Sequence, residues 1–160
     1  MRIIVIEDNE LYKNELLQCL EQEESDIEIV GSASNGAEGL ALTEKLIRDN
    51  LTPDVIFTDV RMPEVDGFEM IEALQRRGIS CKIVVTSSCP EFLYAKRAME
   101  LGAVDFLVKP LKVYEVRNVL GRLRRELESE KKWKHILNLE YIFLNAMAGK
   151  IKDDQQIGDL

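Results

Sequence analysis

The chain has 160 residues, 46% hydrophobic and 31% charged, enough for one domain with a sizeable core and a short appendage, in the balance of an ordinary globular protein. The net charge of -8 is unevenly placed: residues 1–110 carry 11 Lys/Arg against 21 Asp/Glu, residues 111–160 carry 10 against 8. The acidic body repels nucleic acid, so any DNA contact falls to the tail or to a partner domain.

Three cysteines, Cys19, Cys81 and Cys89, show no CxxC spacing, which argues against a disulfide framework and a zinc site and suits a reducing cytosol. RIIVI is followed at once by Glu7 and Asp8, so no signal peptide is expected. No apolar run approaches the ~18 residues of a membrane span. The expected location is cytoplasmic, with no membrane contact.

In chain order, IIVI (Ile3–Ile6) reads as strand 1 and Glu10 to Glu23 as helix 1, with Leu16, Leu17 and Leu20 inward. IEIVGSA (Ile27–Ala33) is strand 2. Asn35 with Glu38 forms a capping box for helix 2, which runs to about Asp49. Pro53 precedes strand 3, DVIFT, which ends at Asp59; helix 3 follows from about Val65 to Arg77, with Phe68, Ile71 and Leu74 at core spacing. KIVVT (Lys82–Thr86) is strand 4. Ser88 and Glu91 read as a capping box, with Pro90 in the first turn of helix 4, which ends at Gly102. AVDFLV (Ala103–Val108) is strand 5, stopped by Lys109–Pro110, and helix 5 follows. Short, nearly uniformly apolar strands alternating with helices predict a doubly wound α/β fold of five βα units, a parallel sheet between two helical layers.

In such sheets the functional crevice lies at the carboxyl ends of the strands. Glu7 and Asp8 follow strand 1, Asp59 ends strand 3, Thr86 ends strand 4, and Lys109 follows strand 5. Singly, each has an ordinary reading: acids near a helix N-terminus, a strand-end hydroxyl, a surface lysine. The fold brings them to one edge. Three carboxylates in one crevice repel, so some protonate or a cation neutralises them. An all-oxygen set favours Mg²⁺ or Mn²⁺. With Lys109 and Thr86 to bind phosphoryl oxygens, Asp59 is the candidate nucleophile for an aspartyl-phosphate.

The chain resembles the receiver domain of two-component response regulators over roughly residues 1–125. The matching pieces are VIED, DVIFTDVRMPEVDGFEM, VVTSS and GAVDFLVKP, in the family's order and spacing. The resemblance implies a CheY-like, flavodoxin-like sheet of order 2-1-3-4-5. It makes Asp59 the phosphoacceptor, Asp8 a direct metal ligand, Glu7 an acid acting through water, and Arg61 the donor of a backbone carbonyl to the metal. Thr86 becomes the switch hydroxyl, Phe106 the switch aromatic and Lys109 the family lysine; Lys109–Pro110 is often cis. The first acid is Glu where Asp is commoner, and the switch aromatic is Phe rather than Tyr. The stretch FLYAKRAMELGAVDFLVKPL (Phe92–Leu111) resembles receivers that precede AraC-type DNA-binding domains.

Helix 5 carries Val113, Val116, Leu120, Leu123 and Leu127 at alternating spacings of three and four; beyond Glu130 and Lys134, apolar residues return at Leu137, Tyr141 and Leu144. The expected organisation is a receiver over 1–125, a helical linker continuing helix 5 over 126–148 and a frayed tail over 149–160. The linker is expected to dimerise or to dock on an output domain, against the alternative of a helix folded back on its own receiver.

The expected function is a phosphoacceptor switch, not an enzyme, loaded by a sensor histidine kinase. It homodimerises through helix 4, strand 5 and helix 5 or through the C-terminal helix. It reaches DNA only through a domain not present in this chain, so the chain is either part of a longer transcription regulator or a stand-alone receiver. Two alternatives stand beside it. An aspartyl-phosphate phosphatase of the haloacid dehalogenase type needs a second Asp where Arg61 stands. An interaction module would carry the acidic pocket as a vestige.

Overall fold

The computed structural model describes residues 1–23 and 26–157, with side chains described as far as Ala148. It divides into a first unit, Met1–Gly121, and a second that begins at Arg122. The elements are β1 (Arg2–Ile6), α1 (Glu10–Glu21), β2 (Glu28–Ala33), α2 (Gly36–Arg48), β3 (Val55–Asp59), α3 (Gly67–Arg76), β4 (Lys82–Ser87), α4 (Phe92–Glu100), β5 (Asp105–Val108) and α5 (Val113–Ile157). The five strands form one parallel sheet in the order β2-β1-β3-β4-β5, the doubly wound arrangement expected.

Because successive strand residues point to opposite faces, each central strand feeds two cores. Ile4, Ile6, Ile56, Ile83 and Val85 join a cluster with Leu46 of α2, Phe68 and Ile71 of α3 and Ala98 of α4. Ile3, Val5, Val55, Phe57 and Val84 are equally buried but lie outside that cluster, as are Leu16 and Leu20 of α1 and Val116 and Leu120 of α5. β3 is buried at every position: Val55, Ile56 and Phe57 are apolar, and Thr58 and Asp59 are polar residues buried at its end.

Local chemistry sets the helix starts. Asn35 Oδ1 accepts from Glu38 N at 2.9 Å, as expected, but the Glu38 carboxylate accepts from Ser34 N rather than from the cap residue. Asp66, which falls inside the span expected for helix 3, is its N-cap, in a full capping box with Glu69. The loop before it turns at Glu64, whose φ of 67° is a left-handed conformation that costs a non-glycine residue about 1 kcal/mol.

Two expectations are corrected. Ser88 does not cap α4: the N-cap is Glu91, with no side-chain hydrogen bond. Pro90 disfavours helical φ/ψ at Cys89, and Cys89 N instead donates to Ser87 Oγ at 3.1 Å. In α1 the third inward residue is Cys19, not Leu17, because positions i, i+3 and i+4 share a face. Val113 is 39% exposed; the buried face of α5 begins at Val116. In the second unit, α5 runs to Ile157; residues 158–160, the end of the expected tail, lie outside the described residues.

Candidate functional site

The topology brings the ends of β1, β3, β4 and β5 to one edge. Glu7 N donates to Ala33 O at 3.0 Å, which holds the first acid as β1 ends. Asp59 closes β3 and is the register partner of Thr86 on β4. Val60 N donates both to Thr86 O at 3.2 Å and to Asp59 Oδ1 at 2.7 Å, so the carboxylate is aimed by the strand that delivers it. Lys109 N donates to Ser87 O at 2.9 Å, which carries the lysine into the crevice just before the cis Lys109–Pro110 bond.

Within the crevice several of these side chains converge. The Lys109 ammonium donates to Glu7 Oε2 and lies 3.2 Å from Asp59 Oδ2. All three side chains are buried, Lys109 to 2% exposure. Asp8 is exposed yet contributes a carboxylate oxygen to a group with Glu7 and Asp59 whose atoms lie within 4.8 Å of one another. That oxygen-only set fits a hard divalent cation such as Mg²⁺.

Burial, the larger cause, raises the pKa values of Glu7 and Asp59; hydrogen bonding and charge from Lys109 pull both back, and each acid's carboxylate neighbour pushes it up again. A carboxyl whose folded pKa is raised binds protons the unfolded chain has already lost. Its stabilisation is complete below the unfolded pKa and fades as pH rises through the folded one. The metal-free protein is therefore expected to lose melting temperature as pH rises from about 4.5 toward 7. Mg²⁺ is expected to raise the melting temperature more at about pH 7.5 than at about pH 5, since protonated acids hold no cation. Thermal scans at both pH values check this; equal shifts would contradict it.

Thr86 is buried, and its Oγ1 donates a long, 3.4 Å hydrogen bond to Thr58 O. Phe106 is half-buried, packs against the core cluster and pairs with Val85, one residue before Thr86. The Arg61 side chain points away from the acids: its guanidinium donates to Tyr94 Oη on α4 at 2.9 and 2.6 Å. Two neighbours were not foreseen. Tyr94 is one. The other is Tyr12, whose ring centroid lies 4.5 Å from Lys109 Nζ. Its only signal in the sequence is its place in the first turn of helix 1, four residues after Asp8.

Residues 3–120 match the family described as the response regulator receiver domain. The chain belongs to the response regulator receiver family. The receiver is 36% identical over 126 residues to the transcriptional regulatory protein BtsR of Escherichia coli strain K12, covering 79% of this chain and 49% of BtsR. It is 35% identical over 144 residues, 89% of the chain, to a protein-glutamate methylesterase/protein-glutamine glutaminase of Methanospirillum hungatei, of which it covers 39%. The response regulatory domain of protein mrkE from Klebsiella pneumoniae superposes with a TM-score of 0.69 at 30% identity, over 81% of this chain and 99% of that one. The receiver thus spans half or less of the length of these curated relatives, which differ in the activity their names give.

Proposed function

We propose that the chain is a phosphorylation-controlled switch whose Asp59 accepts a phosphoryl group from the phosphohistidine of a sensor kinase. An Asp59 carboxylate oxygen attacks phosphorus, the P–N bond breaks, and its electron pair stays on the imidazole nitrogen. The observation that carries this reading is the buried Lys109 ammonium held against both Glu7 and Asp59, with Thr86 across from Asp59 in register. Glu7, Asp8 and Asp59, with the carbonyl of Arg61, would hold Mg²⁺ or Mn²⁺. When bound, such an ion offsets negative charge on the transferring phosphoryl oxygens. Lys109 binds a second phosphoryl oxygen. The Thr86 hydroxyl, whose one hydrogen bond among the described residues is the long one to Thr58 O, can turn toward a third, and Phe106 follows as the coupled reporter. The phosphorylated state then gains weight in a pre-existing equilibrium.

The phosphatase alternative predicts turnover. With acetyl phosphate and Mg²⁺ the chain is expected to take up one phosphoryl group per molecule, and with p-nitrophenyl phosphate to release no product in excess of itself. Sustained release would overturn the switch reading.

The output we propose is transcription control through a further domain, in line with the name of BtsR; the AraC-type reading rests on the Phe92–Leu111 stretch alone. Among the described residues no helix is long and apolar enough to cross a membrane, and we place the protein in the cytoplasm. For the second unit we propose pairing with a second copy. Between Ile136 and Met147 the only polar residues are Asn138, Glu140 and Asn145. Trp133, Tyr141 and Phe143 are 63%, 67% and 64% exposed. At 150–250 Å² per aromatic side chain these three together expose about 400 Å². A helix apolar on nearly every side needs cover on more than one stripe, and the stripe through Leu127, Leu137, Tyr141 and Leu144 repeats at coiled-coil spacing. Light scattering at rising concentration is expected to show association that Leu137→Glu abolishes; a strict monomer at every concentration, phosphorylated or not, would exclude it.

A further inference from the structure

We propose that Tyr12 is a positioning residue for Lys109, holding the ammonium against the phosphoryl-accepting carboxylate through the face of its ring. This rests on the reading of Asp59 as phosphoacceptor. A lysine ammonium carries three N–H donors, and in a buried site each side of the charge needs a partner. Glu7 takes one side and Asp59, at 3.2 Å, another. On the remaining side lies the ring of Tyr12, 4.5 Å from Nζ to its centroid. The face of an aromatic ring is negative and attracts a cation within about 6 Å.

The placement is built, not incidental. Asn9 N donates to Glu7 Oε1 at 3.1 Å, while Asn9 Oδ1 accepts from Leu11 N at 3.0 Å and from Tyr12 N at 3.3 Å. One residue therefore fixes both the acid that pairs with Lys109 and the helical turn that carries the ring.

The chemistry of a ring differs from that of the alternatives. A carbonyl or a water on that side would compete for the lysine by a directional hydrogen bond. A π face holds the charge without one. The ammonium can therefore leave Glu7 for a phosphoryl oxygen on Asp59 while still in contact with the ring.

The test follows phosphorylation by acetyl phosphate and Mg²⁺, by intact mass against time. Tyr12→Leu, which keeps apolar bulk and loses the π face, is expected to slow the reaction about tenfold. Tyr12→Phe is expected to stay within about twofold of wild type, because the face and not the hydroxyl is used. Phenylalanines carrying one, two and three fluorines at position 12 change shape little but drain the ring face. Their rates are expected to fall stepwise, an effect that packing alone would not produce. A flat fluorine series, or a full rate in Tyr12→Leu, would overturn the proposal while the wild type is still phosphorylated. A wild type that takes no phosphoryl group would overturn the Asp59 reading, and this one with it.

Discussion

Phosphorylation of the Lys109→Gln variant by acetyl phosphate is expected to be slower than wild type by about two orders of magnitude, the usual cost of losing one fixed charge-stabilising donor. The side chain is 2% exposed and ion-paired to Glu7 and Asp59, so its charge acts where water screens it least. Glutamine nearly matches its reach but brings no charge. It also leaves two buried carboxylates facing each other, both already pushed up by burial. Without the ammonium, the pull that lowers both carboxyls is lost, and burial and their mutual repulsion act unopposed. Mass measured against time, with Mg²⁺ in excess, gives the rate directly. A variant as fast as wild type would show that the lysine only fills space between the acids.

Gly67→Ala is expected to destabilise the protein by about 3 kcal/mol, at the top of the range for overpacking. A methyl group there would sit 2.1 Å from Asp59 O and 3.1 Å from Asp59 C, and backbone cannot step aside as a flexible side chain can. Gly67 N also donates to Val60 O at 2.9 Å, so α3 begins pressed against the residue that carries the chemistry. The same methyl must push Asp59, and slower phosphorylation of the folded fraction is expected alongside the lower urea midpoint. Gly39→Ala is the informative comparison. Its added carbon would lie 2.4 Å from Ile6 Cδ1 and 2.9 Å from Met70 Sδ, the ends of side chains that can turn, so its cost is expected to be smaller and its phosphorylation rate unchanged. Equal losses in the two variants would contradict the close-approach account.

What the sequence makes legible follows from which interactions are local. Apolar runs such as VIFT and KIVVT, set between segments of helical period, specify strands buried on both faces. Five of them in alternation leave little choice of architecture. That architecture alone gathers Glu7, Asp8, Asp59, Thr86 and Lys109 at one edge, which is why those residues stood out together. The misses are of two kinds. Whether a polar residue caps a helix depends on whether the backbone after it can turn helical; next to Pro90 it does not, and Ser88 does not cap α4, while next to Gly67 it does, and Asp66 caps α3. Tyr12 reaches Lys109 through its ring and Tyr94 reaches Arg61 through its hydroxyl, and such contacts depend on how a helix is rotated against the sheet. The exchange of Leu17 for Cys19 on the inner face of α1 is a small example of the same thing: spacing, not hydrophobicity, decided it.

The most direct test of the central claim is to locate the phosphoryl group. The wild-type chain, treated with acetyl phosphate and Mg²⁺ and then with borohydride, should yield an Asp59-bearing peptide in which that aspartate has been reduced to homoserine. Borohydride attacks the acyl phosphate that nucleophilic catalysis by a carboxylate forms and spares free carboxylates, and Asp59→Asn should show no modified peptide. Reduction at another acid, or none in a wild type that gains phosphate mass, would contradict the claim that Asp59 is the nucleophile.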